Sequence, residues 1–150
     1  MLGYVLNEGY AQEVMDWHRQ HPEVEVHCFW DKREADEVYE PWPGLSFHRL
    51  NDKKFADMME RCRAYVSTAG FESICEALYL DKPVMMIPVA GHYEQACNAL
   101  DAKLVNAGIA ADSFDLSLLM DYIPRHQSKA PEFRAWVAQG PDIFRRELSL

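Results

Sequence analysis

The residues from Ala64 to Ala99 write two strand, loop and helix units back to back, with polar groups gathered at the turns. Ala64 to Val66 reads as a short buried strand and Ser67 to Gly70 as a tight turn. Phe71 to Leu80 reads as a helix, because Phe71, Ile74, Cys75 and Leu78 recur at i, i+3, i+4 and i+7 while Glu72, Ser73 and Glu76 take the other face. The second unit opens on Val84 to Ile87, a continuous apolar run of the kind carried by a strand buried on both faces, and closes it with Pro88. Gly91 and His92 form the next turn. A helix then starts at Tyr93, Glu94 and Gln95, packs through Cys97, Leu100 and Leu104, and stops at Gly108.

The same alternation extends toward the amino terminus. Tyr4 to Leu6 reads as a first strand, followed by the turn Asn7-Glu8-Gly9 and a helix with Tyr10, Val14, Trp17 and His21 at helical spacing. Val24, Val26 and Cys28 alternate with Glu25 and His27 as a second strand, and Leu45, Phe47 and Arg49 mark a third, which would leave His48 as an edge-strand surface residue. Asn51 or Asp52 caps a helix whose buried stripe is Phe55, Met58, Met59 and Cys62. The charged segment from Asp31 to Gly44, carrying Pro41, Trp42 and Pro43, reads as a long loop. Near the end, Phe133, Trp136 and Val137, then Phe144 and Leu148, form helical clusters that either pack onto the sheet or cover a surface left open by a missing domain. Strands alternating with helices imply an α/β fold, a Rossmann-like doubly wound parallel sheet. At 150 residues with 49% hydrophobic content, residues 1–150 suit a single domain.

In such a sheet the ligand crevice lies at the carboxyl ends of the strands. Ala69 and Gly70 let backbone approach a ligand closely, and the unpaired amides that open the following helix are a ready anion site. The net charge of −9 argues against nucleic acid, whose binding rests on clustered Lys and Arg. Cys28, Cys62, Cys75 and Cys97 show no C-x-x-C pair and read as free thiols in a reducing compartment. His18 and His21 share a helix face without an acidic or thiol partner at ligand spacing, so no metal site is expected. No apolar run approaches the ~20 residues that cross a bilayer, and no signal pattern opens the chain, so a cytoplasmic location is expected.

The two units resemble the donor-binding, carboxyl-terminal half of GT-B glycosyltransferases, in particular the family of the bacterial peptidoglycan N-acetylglucosaminyltransferase. The resemblance rests on Ser67-Thr68-Ala69-Gly70, Glu76, Lys82-Pro83, Val84 to Pro88, Gly91-His92, and Glu94-Gln95 followed by Asn98-Ala99. It implies that Glu76 accepts hydrogen bonds from the ribose hydroxyls of a nucleotide, and that Thr68, Ala69, Gly70 and Phe71 form the diphosphate turn. Glu94 and Gln95 match the pair that reads hydroxyls of the transferred sugar, although Glu94 departs from the amide or aspartate often found there. Gly91 and His92 face that sugar, His92 either as a proton donor or hydrogen-bonding group or as a helix cap. The base pocket would involve His48, Arg49 and Leu50. A further departure is the short Asn7-Glu8-Gly9-Tyr10 turn, where related enzymes place a glycine-rich loop.

The resemblance further implies an inverting, metal-independent transfer of a hexosyl group from a nucleotide sugar, a UDP-sugar by preference, to an acceptor hydroxyl. The nucleotide sugar is a substrate, so no cofactor is implied. The acceptor site and catalytic base belong to an amino-terminal domain that this chain, beginning almost at a strand, is expected to lack, so the isolated chain would bind donor without transferring it. The full-length enzyme could lie peripheral to the inner membrane. A sugar-nucleotide epimerase half-domain and a noncatalytic interaction module with the same architecture are the alternatives.

Overall fold

A computed structural model describes residues 1–148. Its strands are β1 (Leu2–Val5), β2 (Val26–Trp30), β3 (Val38–Trp42), β4 (Leu45–Arg49), β5 (Tyr65–Ser67), β6 (Val84–Met86) and β7 (Gly108–Ala110). Its helices are α1 (Glu8–Gln20), α2 (Asp52–Arg61), α3 (Phe71–Tyr79), α4 (Tyr93–Leu104), α5 (Leu116–Tyr122), α6 (Ala130–Val137) and α7 (Gly140–Glu147), with a 3-10 turn at Ile123–Arg125. The sheet order is β3-β4-β2-β1-β5-β6-β7, and every pairing is parallel except β3 with β4. The doubly wound architecture expected from the alternating pattern is the one observed.

Each sheet face is covered by its own apolar cluster. Val5, Val26, Cys28 and Phe47 pack beneath α1 and α5, while Leu2, Phe29, Tyr65, Val84 and Met86 pack beneath α2, α3 and α4. Strands buried on both faces explain why their sequences run apolar without alternation. Asn7 and Asn51 cap α1 and α2, each side-chain oxygen accepting a backbone N–H, from Tyr10 at 3.0 Å and from Lys54 at 2.9 Å.

Several sequence expectations change. The first strand lies at Leu2–Val5, with Leu6 exposed at 44%. The segment expected as a long loop carries β3, an antiparallel edge strand with a register shift between Tyr39 and Trp42. Pro41 is tolerated there because an edge strand has a free side that needs no donor. Its anchor comes from far along the chain: the buried His18 accepts the Trp42 indole N–H at Nδ1 (2.8 Å) and meets the Val24 carbonyl through Nε2 (2.8 Å).

On α4, Leu100 and Leu104 face outward, and the buried residues are Gln95, Ala99 and Ala102. After Gln95, the buried face of the helix is made of alanines. Gly108 is no helix stop. The α4 helix ends at Val105 with Asn106 in the left-handed region, and Gly108 opens β7, paired directly with Val84. Phe71 likewise leaves the expected α3 stripe, which the buried Ala77 completes with Ile74 and Leu78. Phe133 packs on the core, but Trp136, Phe144 and Leu148 stand largely exposed instead of packing on the sheet.

Among the described residues, no helix is long and apolar enough to cross a membrane. Cys28 is buried and the other three cysteines are partly so, all as free thiols.

Candidate functional site

A cleft of about 810 Å³ opens between the amino-terminal ends of α2 and α3. Tyr4 of β1 and Tyr65 of β5 form its floor, Leu50, Asn51 and Phe55 one wall, and Gly70, Ser73 and Glu76 the other. It lies at the carboxyl ends of the parallel strands, where an open α/β sheet places a ligand.

The turn that shapes it is held by backbone conformation. Ala69 adopts φ +63° and is fully buried, and the Asn98 side-chain amide donates to its carbonyl at 3.0 Å. Gly70 stands at the N-cap of α3 without any side-chain cap, while Ser73 Oγ donates back to the Gly70 carbonyl at 3.3 Å. The first-turn amides of α3 therefore present an uncapped positive end to the cleft. The Glu76 carboxylate, exposed on the same helix, makes no hydrogen bond or ion pair among the described residues. A carboxylate held in a cleft and left free is an acceptor for two hydroxyl donors at once.

Of the residues singled out in the sequence, Leu50, Gly70, Phe71, Glu76 and Glu94 meet around this cleft. Thr68 and Ala69 lie buried behind it, Arg49 is exposed outside its lining, and Gly91, His92 and Gln95 belong to the neighbouring turn. That turn is internally braced: the Gln95 side-chain carbonyl accepts the Val89 N–H at 2.9 Å, and His92 Nδ1 caps α4 by accepting the Gln95 N–H at 3.4 Å. Gly91, at φ +79°, supplies a backbone conformation that side-chain-bearing residues rarely adopt.

Sequence reasoning missed Tyr4, Tyr65 and Ser73. Tyr65 sits where a buried strand takes any bulky residue, and only the fold shows that its ring reaches the cleft. Ser73 stood in the sequence on the polar face of the helix, a usable signal. The cleft is acidic, with Asp52, Glu72, Glu76 and Glu94 around it and no Lys or Arg in its lining. Among the described residues, no group of three or more His, Cys, Asp and Glu could hold a metal ion.

His48 is corrected by the fold. It is buried, because β3 covers β4 and takes the edge, and its ring lies against Phe29 with centroids 5.2 Å apart. A polar chain leads away from it: His48 Nε2 to Ser46 Oγ (2.9 Å), Ser46 Oγ to His27 Nδ1 (2.6 Å), and His27 Nε2 to Glu25 (3.1 Å). Burial, then the Lys54 and His27 charges, push the His48 imidazole down to about 4. A base with a depressed folded-state pKa contributes stability that is complete above the ordinary value of about 6.5 and lost as pH falls toward 4. Urea unfolding at pH 7 and pH 5 should therefore differ by about 2 kcal/mol from this residue, the slope approaching about 1.4 kcal/mol per pH unit only at the acid end. His48→Gln should flatten that slope, and an unchanged slope would assign it elsewhere.

The chain is similar in fold to several solved glycosyltransferases. The glycotransferase of kitacinnamycin is 15% identical over 92% of this chain and 42% of its own, with a TM-score of 0.56. The glycosyltransferase SnogD from Streptomyces nogalater is 14% identical over 91% of this chain and 42% of its own, with a TM-score of 0.57. SsfS6 from Streptomyces sp. SF2575, complexed with thymidine diphosphate, is 16% identical over 89% of this chain and 37% of its own, with a TM-score of 0.57. This chain thus spans about two fifths of the length of these relatives. At such identities the likeness speaks for the fold, that of a Rossmann-like half of a GT-B glycosyltransferase. No curated protein matches the sequence. The family described as Glycosyl transferase family 1 matches residues 2–125, which span all seven strands of the sheet and both walls of the cleft, and the chain belongs to that family.

Proposed function

We propose that this chain is the donor-binding part of a glycosyltransferase that takes a nucleotide sugar, with UDP-sugars preferred, and delivers a hexosyl group to an acceptor hydroxyl. The observation that carries the reading is the unpaired Glu76 carboxylate standing in the cleft beside the uncapped start of α3. The carboxylate takes the two ribose hydroxyls, and the amides following Gly70 take the diphosphate. In an inverting displacement the acceptor oxygen attacks the anomeric carbon as the bond to the diphosphate breaks, and the helix-start amides stabilise the departing charge. No metal or cofactor enters this scheme.

The acidic cleft supports a division of labour. Asp52, Glu72 and Glu94 oppose a diphosphate, so the local amides must outweigh them, and further positive charge would come from a second domain closing over the cleft. That domain would also bring the acceptor and the catalytic base, as in the peptidoglycan N-acetylglucosaminyltransferase family. The thymidine diphosphate bound to SsfS6 supports a nucleoside diphosphate as ligand. The family match favours transfer over the epimerase alternative. Free thiols suit work in the cytoplasm.

Calorimetry should detect one UDP bound per chain, with uridine binding more weakly because it lacks the group that the helix start attracts. A chain that binds neither would instead be a noncatalytic interaction module.

A further inference from the structure

The turn between β5 and α3 is not held by its own side chains. Ala69 stands in the left-handed region at φ +63°, a conformation uncommon without glycine that persists only where the surroundings enforce it. The enforcing group comes from α4: the Asn98 side-chain nitrogen donates to the Ala69 carbonyl at 3.0 Å, across 29 residues of chain. Asparagine is a weaker helix former than alanine or leucine, so in the middle of α4 it carries a local cost that this bond offsets. The helix that bears it is firmly seated, with Ala99 and Ala102 buried and Gln95, one turn earlier, accepting the Val89 N–H.

The consequence extends beyond the carbonyl. Among the described residues no peptide bond is cis, so the Ala69 carbonyl and the Gly70 N–H share one flat trans unit and point in opposite directions. Fixing the oxygen against α4 therefore fixes the direction of the hydrogen. Gly70 lines the cleft, whereas Asn98 does not, and the Gly70 N–H has no acceptor among the described residues. It adjoins the free amides that open α3.

We propose that Asn98 is a positioning residue: without touching the nucleotide, it holds the peptide between Ala69 and Gly70 so that the Gly70 N–H joins the first-turn amides of α3 in binding the diphosphate. This rests on the donor-binding reading and adds a residue, outside the cleft lining, on which that anion site depends. Released from Asn98, the peptide is free to turn over and exchange its N–H for a carbonyl oxygen, which repels phosphate. The ribose contact at Glu76 lies farther along α3 and does not depend on this peptide.

The test uses Asn98→Ala and Asn98→Asp, the second keeping the side chain's size while removing its donor. UDP affinity is read by calorimetry, uridine affinity by ligand-observed NMR, and folding by urea unfolding, each beside the wild type. The expected result in both variants is UDP affinity lower by about tenfold with uridine affinity unchanged, because uridine has no diphosphate for the turn to hold. Equal losses for both ligands, or failure of both variants to fold, would make the bond merely structural and overturn the proposal. Unchanged UDP affinity would overturn it while leaving the donor reading intact. If the wild type does not bind UDP, the donor reading and this inference fall together.

Discussion

Glu76→Ala is expected to weaken UDP binding by about thirtyfold while leaving the unfolding midpoint where it was. The size follows from the chemistry: a carboxylate facing a vicinal diol makes two charge-assisted hydrogen bonds, each stronger than a neutral one, and exposure to water discounts their sum to about 2 kcal/mol. The selectivity follows from the fold. Glu76 is exposed, and no partner in the described structure depends on it, so its loss should leave α3 in place. Glu76→Gln keeps one acceptor oxygen and should fall between the two. Calorimetry with UDP, with urea unfolding as the control, checks both. If Glu76→Ala binds UDP as tightly as the wild type, the ribose sits elsewhere.

The largest stability effect is expected at Gly108, where alanine should cost about 3 kcal/mol or more. A Cβ at this position would stand 2.3 Å from the Val84 carbonyl oxygen and 3.0 Å from the carbonyl carbon. These are backbone atoms of the strand to which β7 is bonded, so no rotamer change relieves the clash, and β7 must separate from β6. For a domain with a usual margin of about 5–15 kcal/mol, that is a large share. Urea unfolding of Gly108→Ala measures it, and a midpoint close to that of the wild type would show that β7 yields without cost. Binding of UDP should be little affected once the variant is folded, because Gly108 is not part of the cleft lining.

These two positions differ in how they could be read. The position of Glu76 was legible because it is local: a carboxylate on the polar face of a helix, a short distance after a small-residue turn. Gly108 was misread as a helix stop because the reason for its small size, the Val84 backbone, lies in another strand. A non-local cause applies to α4 too, where spacing favoured Leu100 and Leu104 but the face packed into the core carries Ala99 and Ala102. It explains β3 too, a strand held by pairing with β4 and by the distant His18, not by its own apolar pattern.

The chain by itself determined the alternation of strands and helices, the small-residue turn at Ala69 and Gly70, and the helix that carries Glu76, because periodicity and turn chemistry are properties of neighbours in sequence. Only the tertiary structure decided that β3 takes the edge and buries His48, that α4 turns its small residues to the sheet, and that the Tyr65 ring lies buried beneath the cleft. Each of those depends on how closely two elements distant in sequence approach, and that distance is set by packing.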